Sequence, residues 1–321
     1  DALIAVKKWA DLEWTNFSGA FNGCLNFLTS GHNVFFASSQ WNVGTEVTAS
    51  TYKPEPTNVS AALAKSGYGA TEIDTDIGDW DMSQVVSFGG QSNYAQSMFF
   101  NNDVFNQDLA GWDTSSLTNT RTVFRAASSF NNGGMPMDNS HPSESGWDMS
   151  NVTNAEQMFY TAGSFNQPVN GWDVSSLERA AYMFSGFGEK STFNQPLDNW
   201  NTSSLKDVSH MFGRNKKFNQ DLTAWDWRNI EDASYMFEDN PAYNNGGVAF
   251  SVNTTNSLTN ALRMFRNANA FNQPVTMDVS GVTNAVEMFK SASAFNQNVN
   301  NLGQGATGFN DGVNLKQMFY G

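Results

Sequence analysis

Cysteine is nearly absent from this chain of 321 residues, with Cys24 standing alone. One thiol cannot close an intramolecular disulfide, so stability in an oxidising setting has to come from packing. Cys24 itself reads as a small buried residue rather than a functional thiol. Charge is also scarce. It makes up 15% of the residues and leans one way, with 17 Lys and Arg against 31 Asp and Glu and a net charge of −14. Nucleic acid and anionic membrane are poor partners for such a field, whereas a salty exterior suits it. No apolar run reaches membrane-spanning length and no signal peptide is visible, which fits a mature chain whose leader has been removed. The three histidines, His32, His141 and His210, have no mutual spacing that suggests zinc or His-based catalysis.

What the sequence has in abundance is a repeat. A Met-Phe pair returns at Met158-Phe159, Met183-Phe184, Met211-Phe212, Met236-Phe237, Met264-Phe265, Met288-Phe289 and Met318-Phe319. Phe-Asn-Gln follows, then Trp in the regular units, as at Trp112, Trp172, Trp200 and Trp225. A period of about 25 residues marks a solenoid, in which each unit buries its apolar face against its neighbours. The frame extends back through Ile73, Ile77 and Trp80 to Trp9 and Phe21. Residues 1–321 therefore read as one continuous domain of about eleven turns, interrupted near 33–70, 84–97 and 131–146.

Within a unit, Leu177, Ala180, Met183 and Phe184 share one face of a short helix, and Ser175 to Glu178 reads as its capping box. The Asp or Asn after each Trp suits a turn. Phe193 to Trp200 reads as a short strand pairing in parallel with the next unit, kept to a few residues by prolines such as Pro168, Pro196 and Pro274. The expected fold is an α/β solenoid of leucine-rich-repeat type, one short strand and one short helix per unit. The repeated Asn-Gln pairs should form a hydrogen-bonded ladder along the axis, with Gln facing inward. The Phe and Trp columns should be core before they are a sugar platform.

The units Phe193 to Phe212 and Trp147 to Phe159, with Phe21-Asn-Gly-Cys24 near the start, resemble the BspA-like leucine-rich-repeat surface proteins. The resemblance covers most of the chain and is weakest between Ser38 and Ala70. It implies a secreted or cell-surface protein used for attachment, and it brings neither a catalytic residue nor a transferable binding motif.

Sites are harder to read than fold. Asp74, Asp76, Asp79 and Asp81 form a calcium-like loop, yet their order departs from an EF-hand, and Asp74, Thr75 and Asp76 occupy the columns held by Asn106, Gln107 and Asp108 in the next unit. Positions flanking the inward Leu vary from unit to unit, which makes Asp108, Asn170, Asp198, Asp221 and Thr223 the expected ligand-binding residues. Sequons at Asn16, Asn58, Asn151, Asn201 and Asn253 count only in a glycosylating source. No paired acid and base, nucleophile or cofactor motif stands out, so the expectation is a non-enzymatic scaffold, without cofactor, that holds a protein or glycan on another surface. The alternative is a structural subunit assembling end to end, since neither end of the repeat shows a polar cap.

Overall fold

The computed structural model describes residues 78, 82–83, 85–88, 97–187, 191–255, 257–299, 302 and 314–320. Residues 1–8, Cys24, the 33–70 interruption and the four carboxylates Asp74, Asp76, Asp79 and Asp81 lie outside these. Within them, successive repeats lie on one another in parallel register. Single β-bridges link Ser87, Asn119, Asn154, Arg179, Asp207, Asp232, Asn260, Asn284 and Asn314 in turn. On the Trp side, β1 (Phe250–Ser251) pairs in parallel with β2 (Val275–Thr276). β2 falls in the segment expected to be a strand, and Pro274 joins through its carbonyl, which accepts from the Phe250 N–H at 2.8 Å.

The expected helix is absent, and the described residues contain no α-helix. The reason lies in where the backbone donors point. The N–H groups of Ala180, Tyr182 and Phe184 donate to the carbonyls of Asp207, Ser209 and Met211 in the next repeat at 2.9, 2.9 and 3.0 Å. The intervening N–H groups of Met183 and Ser185 turn back only three residues. Alternate donors are thus spent on the neighbouring coil, and none is left for a helical ladder. This geometry needs a left-handed residue two positions before each Phe: Thr122, Gln157, Tyr182, His210, Tyr235, Arg263, Glu287 and Gln317 all have φ between 55° and 58°. A side chain there costs about 1–2 kcal/mol, offset by the bonds between coils. The capping box is absent too. Ser175 donates its N–H to Asp173 Oδ1 at 2.9 Å, a turn repeated at Asp113, Asp148, Asn201, Asp226 and Asp278.

The core is aromatic and ordered in columns. Phe105, Trp112, Phe124, Phe165, Trp172, Phe184, Phe193, Trp200, Phe212, Phe218, Trp225 and Phe237 are all buried. Within a coil, Phe159 lies 3.7 Å from Phe165 and Phe212 3.7 Å from Phe218, ring on ring. Between coils, Phe124, Phe159 and Phe184 are spaced at 5.4 and 5.7 Å with nearly parallel planes. Four indoles reach back: Trp147, Trp172, Trp200 and Trp225 donate Nε1–H to the carbonyls of Leu109, Met137, Val169 and Leu197 at 2.9–3.0 Å. A buried tryptophan usually finds such a partner, and Trp227, equally buried, departs from the pattern with its Nε1–H unpaired.

An asparagine ladder ties the coils at the corner after the second Phe. The Oδ1 atoms of Asn106, Asn131, Asn166, Asn194, Asn219, Asn244 and Asn272 each accept the backbone N–H of the corresponding Asn in the next coil, at 2.7–3.0 Å. These links run from side chain to backbone, and two amide-to-amide bonds join them, from Gln220 Nε2 to Asn194 Oδ1 at 2.9 Å and from Gln297 Nε2 to Asn272 Oδ1 at 3.0 Å. The neighbouring Gln side chains do not face inward: Gln195 and Gln220 are half-buried beside the ladder, donating to the Asn166 and Asn194 carbonyls.

A longer period overlies the short one. Asn102, Phe105, Asn106, Asp108, Leu109, Trp112 and Asn132 recur as Asn215, Phe218, Asn219, Asp221, Leu222, Trp225 and Asn245, always 113 residues on. The tetrapeptides Asn131 to Gly134 and Asn244 to Gly247 form matching 3-10 turns, with Gly133 and Gly246 both at φ 62°, ψ 8°. Four coils therefore make one larger block.

Candidate functional site

The five expected ligand-binding residues do not make one site. Asp108 Oδ1 accepts from the Ala110 N–H and from Asn132 Nδ2, both at 3.0 Å, and its Oδ2 meets His141 Nε2 at 2.9 Å. Asp221 Oδ1 is taken by the N–H and hydroxyl of Thr223 at 2.8 and 2.7 Å. Only Asn170 and Asp198 meet across coils, with Asn170 Nδ2 donating to Asp198 Oδ1 at 2.9 Å. These side chains are committed to holding turns. Of the sequons, Asn151, Asn201 and Asn253 are exposed, although Asn151 and Asn253 donate their amides to Ser115 O and Asp226 Oδ1; Asn16 and Asn58 lie outside the described residues. Among the described residues, no three His, Cys, Asp or Glu gather as a metal site, and the four carboxylates of the calcium-like loop are outside them.

A different surface stands out on the Met-Phe arc, built from the left-handed Tyr182, His210, Tyr235 and Arg263 with Arg125 and Tyr160 beside them. A left-handed residue turns its side chain along the outer wall, so successive coils stack these side chains as they stack the core. His210 is sandwiched between Tyr182 and Tyr235, with ring centroids 4.1 and 4.2 Å away and planes within 10°. Tyr160 meets Tyr182 edge-on at 5.7 Å, Arg263 lies over Tyr235, and Arg125 lies between Phe100 and Tyr160. The tyrosines, His210 and these two arginines are half-buried, and neighbouring Phe187 is 60% exposed. The faces of His210 are occupied by its neighbours, so the ribbon offers ring edges, hydroxyls and guanidinium groups rather than a flat platform.

Its electrostatics stem from burial. Burial first, then nearby Arg214, pushes the His210 imidazole down to about 4, so it is neutral near pH 7. Desolvation lowers the Arg125 guanidinium and raises the Tyr182 hydroxyl from their ordinary values. Burial likewise raises Asp207, on the bridge column beside Asp232. Further along the arc, Arg263 and Arg266 reach Glu287 and Glu238 at 2.8 Å each, and Lys290 reaches Glu287 at 2.7 Å. The hydrogen bond from Lys290 is the main reason the Glu287 carboxyl sits lower than usual.

Charge is divided between the arcs. Eleven of the twelve described Lys and Arg lie within six residues before or five after the Phe that ends a Met-Phe segment, mixed with nine acids. The Trp arc carries ten acids and a single base, Arg228, which holds Asp226 down to about 2 through its side-chain hydrogen bonds.

A family model described as "Mycoplasma protein of unknown function, DUF285" matches residues 57–144, 136–250 and 249–321. The chain belongs to this family. The second and third DUF285 matches start 113 residues apart, the offset that relates the two four-coil blocks. The family tie thus agrees with a tandem-repeat protein and carries no activity with it. No curated protein and no solved structure matches the chain.

The ribbon escaped sequence reading because its column holds Thr122, Gln157, Tyr182, His210, Tyr235, Arg263 and Glu287, a set with no shared chemistry. The available signal was the offset itself, two residues before a Phe that recurs in every coil.

Proposed function

We propose that this DUF285 chain is a non-enzymatic solenoid of the BspA-like kind, displayed outside the cell or on its surface, that recognises a partner on another surface. One observation carries the reading. The inward columns repeat Phe, Trp and Met coil after coil, while the outer left-handed column changes at every coil and concentrates half-buried Tyr, His and Arg. Tyr and Arg are the residue types that carry most binding energy at protein interfaces. Where ring faces are stacked on each other, a sugar finds only edges, so protein fits better than glycan. The 113-residue blocks add a second support, since stacking repeats lengthens a surface without new core design.

The test is capture of the labelled protein on an array of immobilised matrix proteins and glycans, alongside the triple substitution Tyr182→Ala, His210→Ala, Tyr235→Ala. The expected result is binding to protein spots that the triple variant loses by about tenfold or more while its near-UV tryptophan signal is kept. Equal binding by both proteins removes the ribbon as the recognition surface, and binding confined to glycans removes the preference for protein.

A further inference from the structure

We propose that the partner of the Met-Phe arc is a second copy of this chain, whose acidic Trp arc lies along it side by side. The inference rests on the recognition function proposed for that same surface and names its partner. Charge complementarity carries it. The Trp arc shows ten acids to one base, and Asp113, Asp148 and Asp173 stand in successive coils, each bonded to its turn through Oδ1. The facing arc holds eleven bases beside nine acids, and four of the bases, Arg125, Arg179, Lys217 and Lys316, form no ion pair with a described residue.

Spacing is the second argument. Both arcs belong to the same coils, so their side chains are stacked at similar intervals, marked in the core by ring spacings of 5.2–6.2 Å from one coil to the next. Arg125, Arg179 and Lys217 lie in three different coils, as do Asp113, Asp148 and Asp173, so two chains lying side by side can bring bases of one opposite carboxylates of the other at several levels of the stack. The surface shown to carry such an excess of carboxylates is the other arc of the chain itself. The contact joins two different patches, so it does not close on a pair and extends into rows. It is lateral, which distinguishes it from stacking coil ends.

The net charge of −14 opposes association. Repulsion between whole molecules acts over tens of ångströms and is screened at about 150 mM salt, where the Debye length is about 8 Å, while contacts at 3–4 Å survive. Association is therefore strongest at intermediate ionic strength.

Sedimentation velocity of the full chain at about 10 mM, 150 mM and 1 M NaCl tests this. The expected result is concentration-dependent oligomers, most abundant near 150 mM. Two charge-reversed proteins sharpen it: Asp148→Lys with Asp173→Lys, and Arg125→Glu with Arg179→Glu. Each alone should associate about tenfold more weakly or worse, and an equimolar mixture should restore assembly, because each reversed arc then meets its complement. Should the lysine variant fold poorly, Asp148→Asn with Asp173→Asn keeps the turn acceptors and should weaken association less. A wild-type monomer throughout the salt series overturns the proposal, as does assembly that ignores both reversals or a mixture that stays apart. A monomer that still binds array proteins through the ribbon defeats only the self-partner, whereas loss of both defeats the recognition function as well.

Discussion

The two Asn-Asn-Gly-Gly coils are alike in the loop itself and differ in the segment after it. In both, the second Asn is buried and does the same three things. Asn132 and Asn245 accept the N–H of Leu109 and Leu222 at 2.8 and 3.0 Å, and donate to the carbonyls of residues 135 and 136 or 248 and 249. After the second loop the chain goes directly into β1. After the first it makes an excursion through residues 138–146, anchored where His141 bonds Asp108 and where its Nδ1 accepts the Ser143 and Glu144 N–H groups at 3.2 and 2.8 Å. Four residues therefore fix the loop whatever comes next, and the excursion depends on polar anchors of its own. With two N–H groups on Nδ1, the imidazole carries its proton on Nε2 and donates it to Asp108.

The largest break in this comparison is expected at Gly146, which exists only in the first loop. Its φ is 74° and an added Cβ would fall 2.4 Å from the Asp138 carbonyl carbon, so Gly146→Ala should cost about 3–5 kcal/mol in urea unfolding. A loss under 1 kcal/mol would mean that the excursion relaxes freely. Next come Asn132→Ala and Asn245→Ala, each leaving a buried Leu N–H and two carbonyls unmet, with the Asp108 carboxylate losing a donor in the first case and the Tyr243 hydroxyl an acceptor in the second, at about 2–4 kcal/mol each. The two values should agree, and a clear inequality would show that the loops are alike in shape but not in energetics.

His141→Ala should cost about 1–2 kcal/mol and act on the first loop alone. Hydrogen exchange is the discriminating measurement: amides of residues 140–147 should speed up while those around Asn245 do not. Smallest is the pair Gly134→Ala and Gly247→Ala. Both sit near φ 87° with nothing within 4 Å of a new Cβ, so only backbone strain of about 1–2 kcal/mol is expected, equal in both.

Away from the loops, His210 supplies a pH test. Its folded value of about 4 is below the ordinary 6.5, so its contribution to stability is full above pH 6.5 and is lost as pH falls toward 4. His210→Phe should remove that part of the acid sensitivity from thermal melts between those limits. An unchanged pH profile would place the imidazole in solvent.

The fold was legible wherever one physical requirement fell on one column. Phe165, Trp172 and Phe184 had to be buried, the Asp after each Trp had to bend the chain, and Asn194 had to bond along the axis. The helix was misread because Leu177, Ala180, Met183 and Phe184 have helical spacing, whereas the chain reaches the same burial through overlapping three-residue turns. Nothing in Thr122, Tyr182 or Arg263 announces a left-handed backbone, for which glycine or asparagine is the usual signal. The candidate surface depended on that conformation, so it stayed hidden with it. Asp108 and Asp221 looked free because their partners, His141 and Thr223, come from a loop excursion and a local turn.

The asparagine ladder has a direction: every link joins the side chain of one coil to the main chain of the next and is blind to the residues either coil carries elsewhere. A whole coil can therefore be copied, lost or exchanged and the seam will still close, provided the Asn stays in frame. Such a seam lets a gene lengthen its product by duplication, one coil or one block of four at a time, and the 113-residue echo is the trace that such a copying event would leave.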